Sequence, residues 1–157
     1  MQIHLRNLKI HCKFLNIDLK KIIIYNYMSC FWDSLIKSIS NEDLINYFDN
    51  NKVRTNPHNL ATILKNVNRK TSNVLWNDTT LSDKMLEENV EAINSYDVNQ
   101  VQNGYYCSTC DPFLLLLADY LEITIIHNYN NHIMNYTHKL NNRYTIKINS
   151  DNGHCWC

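Results

Sequence analysis

Hydrophobic and polar positions change period twice along the chain. Over residues 1–28, Ile3, Leu5, Leu8, Ile10 and Cys12 nearly alternate with polar residues, and Phe14, Leu15 and Ile17 continue the pattern less cleanly. The run Ile22-Ile23-Ile24-Tyr25 is β-branched and aromatic. Both features predict strands. From Phe31 the apolar residues fall at Phe31, Leu35, Ile36 and Ile39, a helical spacing that predicts a helix from about Cys30 to Ser40. Asn41 is placed to cap a short second helix through Phe48, with Leu44, Ile45 and Phe48 on one face. Residues 49–55 are polar and read as a loop.

Asn56-Pro57 opens the next helix, with proline at its first position and Leu60, Ile63, Leu64 and Val67 turned inward. Residues 68–80 are mostly polar and read as loop, anchored by Val74, Leu75 and Trp76. A helix is expected over roughly 81–95, with Leu86, Val90 and Ile93 on one side and a solvated acidic face on the other. Residues 96–110 form a long connection, and Asp111-Pro112 then starts the most apolar helix, Phe113 to Leu121, expected to be central and buried. Three strands are predicted after it, at Ile123 to His127, His132 to Thr137 and Tyr144 to Ile148.

Strands, then helices, then strands again predict an α+β fold in which helices pack on a small mixed or antiparallel sheet. No repeat or linker divides the chain, so residues 1–157 are expected to be one domain. The chain stops soon after His154, which also suits a piece of a longer polypeptide. Hydrophobic residues make up 45% and charged residues 19%, which argues for a packed core rather than disorder. The formal net charge is +0, so no electrostatic footprint for nucleic acid or an anionic membrane is present. No secretory signal is visible, and the apolar run Phe113 to Ala118 is too short to span a bilayer. A cytoplasmic location and reduced cysteines are therefore expected. Asparagine is about one residue in six, far above ordinary usage. With abundant Ile, Lys and Tyr it suggests an AT-rich genome, as in many viruses.

Candidate chemistry starts at Cys30. It falls where an apolar run gives way to a helix, hence in a first helical turn. Unpaired N–H groups and the positive end of the dipole gather there and favour the thiolate. The plainer reading is a buried cysteine packing as a small hydrophobe. The partner a nucleophilic cysteine needs is an imidazole, usually distant in sequence. Among 7 histidines, His154 stands out by its late position, its strand context and the preceding Gly153. Trp156 falls on its face of a strand by period two.

Three blocks together resemble the ovarian-tumour (OTU) domain cysteine proteases, especially short viral versions, over about residues 22–157. They are Ser29-Cys30-Phe31-Trp32-Asp33-Ser34-Leu35, the stretch from Asp111-Pro112-Phe113 through Glu122-Ile123-Thr124-Ile125-Ile126, and Gly153-His154-Cys155-Trp156. The resemblance implies a papain-like fold in which the cysteine heads a helix, an apolar helix leads into a central strand, and the histidine lies on a late strand. It implies a thiol protease or deubiquitinase without a cofactor, acting on ubiquitin, a ubiquitin-like protein or a viral polyprotein. Two positions depart from the family pattern. Tyr27-Met28-Ser29 stands where the family usually has Asp-Gly-Asn, and Trp156 stands where many members carry an acid or Asn that orients the histidine. Asp151, Asn152 or Asp18 are substitutes for that third group, and a dyad alone is the other option.

A rival constellation pairs Cys107-x-x-Cys110 with Cys155-x-Cys157, four thiols that could hold zinc, with His154 as a competing ligand. Two positions that happen to carry thiols are the plainer account. The rival function is a non-catalytic interaction module, either a degenerate protease fold or a small zinc-stabilised domain. The 10 tyrosines, including Tyr105, Tyr106 and Tyr129 near turns, suit protein recognition and equally suit half-buried packing.

Overall fold

The computed structural model describes residues 29–48, 56–151 and 154–157. The strands expected over residues 1–28 and the loop expected at 49–55 lie outside the described residues. Within them the fold is α+β, with helices and a six-stranded mixed sheet.

Helix α1 spans Cys30–Ser38 and α2 spans Asn41–Asn46. Ser40, not Asn41, caps α2, since its side chain accepts from the Asp43 N–H. Ser40 is extended while Asn41 is already helical, and only the former geometry aims a side-chain oxygen at the free N–H groups. Helix α3 spans Pro57–Asn66 and is capped by Asn56, as the Asn-Pro pair predicts. Helix α4 spans Asp83–Ser95 behind a Ser82 cap, with Leu86 and Ile93 buried and Val90 half-buried. The connection after it is not wholly irregular, because Val98–Asn103 winds into a 3-10 helix with Val101 buried. Helix α5, Pro112–Leu121, buries Phe113 through Asp119 without a break. It contacts α3, α4 and three strands of the sheet, which explains a helix apolar on every side.

Strands β1 (Val74–Trp76) and β2 (Thr79–Thr80) form a hairpin in the stretch expected to be loop. Asn77 and Asp78 between them both take positive φ, 47° and 61°. This is the two-residue turn whose twist matches the strands it joins, and Asn and Asp tolerate it. Asn130 and Asn131 do the same between β3 (Thr124–Tyr129) and β4 (His132–His138). Part of the asparagine excess thus sits where glycine would be usual in a chain with 2 Gly.

Strand β5 spans Thr145–Ser150 and β6 spans Cys155–Trp156. The spatial order is β2-β1-β4-β3-β5-β6. All neighbours are antiparallel except β3 and β5, which run parallel with Thr124 opposite Thr145 and Tyr129 opposite Ser150. The β4–β5 link therefore crosses the start of β3, and no crossover helix is needed. Alternation decides the faces. Met134, Tyr136 and His138 of β4 and Ile146, Ile148 and Ser150 of β5 are buried in period two. The core formed with them includes Phe31, Trp32, Leu35, Leu60, Leu64 and the α5 leucines.

Candidate active site

The site lies where the head of α1 meets the edge strand β6. The β5–β6 turn is closed by Asp151, whose N–H donates to the His154 carbonyl at 2.9 Å. That bond makes 151 and 154 a hydrogen-bonded pair, so Ser150 and Cys155 form the next, non-hydrogen-bonded pair. The Cys155 N–H must then point away from β5, out of the sheet edge. A further strand would ordinarily receive it. Here Sγ of Cys30 does, at 3.1 Å. Because His154 is bonded directly to that nitrogen through its carbonyl carbon, its Cα lies no more than about 5.5 Å from the sulfur. The two residues singled out from the sequence, 124 positions apart, are thus brought to one place. Both are half-buried.

The His154 ring stacks on Trp156, with centroids 5.7 Å apart and planes 19° apart. This is the same-face placement that period two predicts across Cys155. Trp156 is 43% exposed, so it shields one face of the imidazole from water while staying at the surface. Asp151 is engaged with the main chain, its Oδ1 accepting the His154 N–H at 2.8 Å. Asn152, Asp18, Tyr27 and Met28 lie outside the described residues.

The electrostatics at Cys30 correct one expectation. A first-turn cysteine is expected to have a depressed pKa, yet this thiol is raised, chiefly by burial. The N–H groups of Cys155 and Phe31 work the other way, but Cys155 and the Asp33 carboxylate oppose the thiolate. Asp33 occupies the same first turn, where its Oδ2 accepts the Ser29 hydroxyl at 2.6 Å. An acid there suits the helix dipole but competes with a second negative charge on sulfur.

The floor of the site was not legible from the sequence. The residue after Cys30, Phe31, packs on Tyr105 with centroids 4.4 Å apart, and Trp32 meets Phe113 edge-on at 4.8 Å. These contacts hold the segment 104–110 against α1. The segment is pinned further by Trp76 Nε1 and the Tyr136 hydroxyl, both donating to the Thr109 carbonyl at 3.0 and 3.1 Å. Asp111, fully buried, accepts from the Phe113 and Leu114 N–H groups, from Ser108 N–H and from the Tyr105 hydroxyl. Tyr105 is accordingly a packed residue, while Tyr106 beside it is 83% exposed.

The thiols of the rival zinc constellation separate. Cys107 and Cys155 touch through their side chains, and Ser150 and Ser34 extend the contact at either end. Cys110 is half-buried and Cys157 exposed. Among the described residues no group of three or more His, Cys, Asp or Glu side chains is placed to hold a metal ion. A further buried pair, His127 Nε2 and Ser150 Oγ at 2.7 Å, adjoins this cluster. Burial lowers the His127 pKa to about 4, so the ring is neutral at physiological pH.

No helix among the described residues is long and apolar enough to cross a membrane. Compared with known families, with curated proteins and with solved structures, the chain has no match in any of the three.

Proposed function

We propose that this chain is a papain-like thiol protease of the OTU type, cleaving peptide or isopeptide bonds through Cys30 and His154. The observation that carries the reading is the Cys155 N–H bond to Cys30 Sγ, which sets an imidazole-bearing residue beside a half-buried thiol at a helix start. A raised thiol pKa fits a nucleophile that rests protonated and needs a base.

In this mechanism His154 takes the Cys30 proton as sulfur attacks the substrate carbonyl carbon. Main-chain N–H groups at the head of α1, unpaired within the helix, hold the oxyanion. His154 then protonates the leaving amine, and water, deprotonated by the same ring, hydrolyses the thioester. The Trp156 indole fixes the ring plane. Asp151 holds the turn on which the ring is carried. The substrate we favour is a ubiquitin-like protein joined through its C-terminus, with a viral polyprotein as the other candidate.

Ubiquitin bearing a C-terminal thiol-reactive electrophile tests the proposal. A covalent adduct that disappears in Cys30→Ala supports it. Labelling at another cysteine, or none with folded protein at neutral pH, together with no cleavage of polyprotein-derived peptides, favours the non-catalytic interaction module.

A further inference from the structure

The strongest unassigned cluster is the chain of side chains beneath β6. His127 Nε2 meets Ser150 Oγ, Ser150 meets the Cys107 thiol, Cys107 meets the Cys155 thiol, and Cys155 meets Ser34, one helical turn below Cys30. The proposed hydrolytic chemistry uses none of these groups. Both cysteines are free thiols. They come from segments fixed by independent means. Cys107 lies in the stretch held by Tyr105, Thr109 and Asp111, and Cys155 lies in an edge strand paired with β5. Touching thiols held this way have little conformational freedom left to lose when a bond joins them.

We infer that Cys107 and Cys155 are an oxidisable dithiol, a site of reversible disulfide formation by a small disulfide oxidant of the glutathione class. Exposure sets the order of events. Cys107 is half-buried and reachable, whereas Cys155 is 4% exposed. The Cys107 thiol attacks one sulfur of the oxidant, forming a protein–glutathione mixed disulfide and releasing one glutathione thiol. Cys155 then attacks the Cys107 sulfur, forming the Cys107–Cys155 bond and releasing the second glutathione with the remaining proton. Two protein thiols lose two electrons and the oxidant gains them. Cys155 suits the second step, because hydrogen bonds from Cys107 and Ser34 lower its thiol pKa. The product ties segment 104–110 covalently to the strand that follows His154.

The test is equilibration of the whole chain in defined ratios of reduced to oxidised glutathione, followed by peptide mapping under non-reducing conditions. Cys30→Ala is run alongside, so that the outcome does not depend on whether Cys30 is a nucleophile. The expected result is a Cys107–Cys155 linked peptide in both proteins, lost in Cys107→Ser and Cys155→Ser and reversed by reductant. Closing a loop of this length should also raise the thermal midpoint by roughly 5–15 °C. If either serine variant fails to fold, mapping of the unsubstituted chain alone still decides. Stable glutathionylation of Cys107 without the linked peptide, a Cys30–Cys155 bond instead, or oxidation only at the exposed Cys157 would each overturn the inference.

Discussion

The main-chain N–H of Cys155 donates to Sγ of Cys30, so a sulfur takes the place that a neighbouring strand would fill at the edge of the sheet. The bond ties the rotamer of a helix-start thiol to the position of β6, and β6 carries His154 at its head. It is also a weak anion-stabilising contact that is outweighed by burial, which leaves the thiol above its ordinary 9.0. From this follows a pH prediction. Without the imidazole, the thiolate fraction should rise about tenfold per pH unit across neutral pH, with no plateau below the raised thiol pKa. His154→Ala should therefore show a log-linear rise in iodoacetamide reactivity between pH 7 and 9. Hydrolysis by the same variant should fall by about 10²–10⁴-fold at pH 7. A reactivity plateau near neutral pH in His154→Ala would show that the thiolate is stabilised without the imidazole.

Asp151 offers a cleaner separation of roles. Its Oδ1 accepts the His154 main-chain N–H, a contact that an amide oxygen can make equally well. If turn closure is its contribution, Asp151→Asn should keep most of the activity and Asp151→Ala should lose it, through a displaced His154. An ion pair with the imidazolium would instead make Asn as poor as Ala. Steady-state rates of the two variants, with urea unfolding to confirm that both fold, distinguish the cases.

Local chemistry made much of this legible beforehand. The Asn56-Pro57 and Asp111-Pro112 starts, the 3.6-residue spacing of Leu60 and Leu64, and the placement of Trp156 over His154 all depend on neighbours in sequence. Three features did not. The β1–β2 hairpin was hidden because Asn77-Asp78 lacks the glycine that usually marks such a turn, although Val-Leu-Trp before it and Thr-Thr after it carry strand-forming side chains. The Cys107–Cys155 contact depends on how segment 104–110 folds back, which periodicity does not encode. The balance at Cys30 turned on burial and Asp33 together, and a helix-dipole argument alone gave the wrong sign.

A second long-range tie bears on stability. Helix α2 is six residues long and too short to persist unaided. Its buried Asp43 accepts the Tyr144 hydroxyl through Oδ2 and pairs with Arg143 Nη2 at 2.8 Å through Oδ1, which anchors α2 to the start of β5. Tyr144→Phe removes a hydrogen bond to a charged, buried acceptor and should cost about 1–3 kcal/mol in urea unfolding. Amide exchange over residues 40–48 should rise more than elsewhere. Uniform acceleration across the chain would mean that α2 and the sheet open only together.

Asp111 predicts an unusual dependence of stability on pH. Full burial pushes its carboxyl from 3.8 up to about 6, despite the Ser108, Leu114 and Phe113 N–H groups and the Tyr105 hydroxyl that favour the charged form. Between those two values the folded chain holds the proton that the unfolded chain has released. The contribution of this group to stability is therefore complete below 3.8 and is lost as pH rises through about 6. Its size is on the order of 2–3 kcal/mol. Asp111→Asn keeps an oxygen for the helix cap and abolishes the titration. On going from pH 7 to pH 4, wild type should gain on Asp111→Asn by that amount, opposite in sign to an ordinary ion-paired carboxylate. Asp111→Ala strips the cap and leaves buried donors unmet, so it should lose about 2–4 kcal/mol at pH 7. Urea midpoints for the three proteins at the two pH values decide the matter. A wild-type advantage that shrinks on acidification would mean that the carboxyl is held ionised by its donors, and that Asp111 stabilises the fold as a charge.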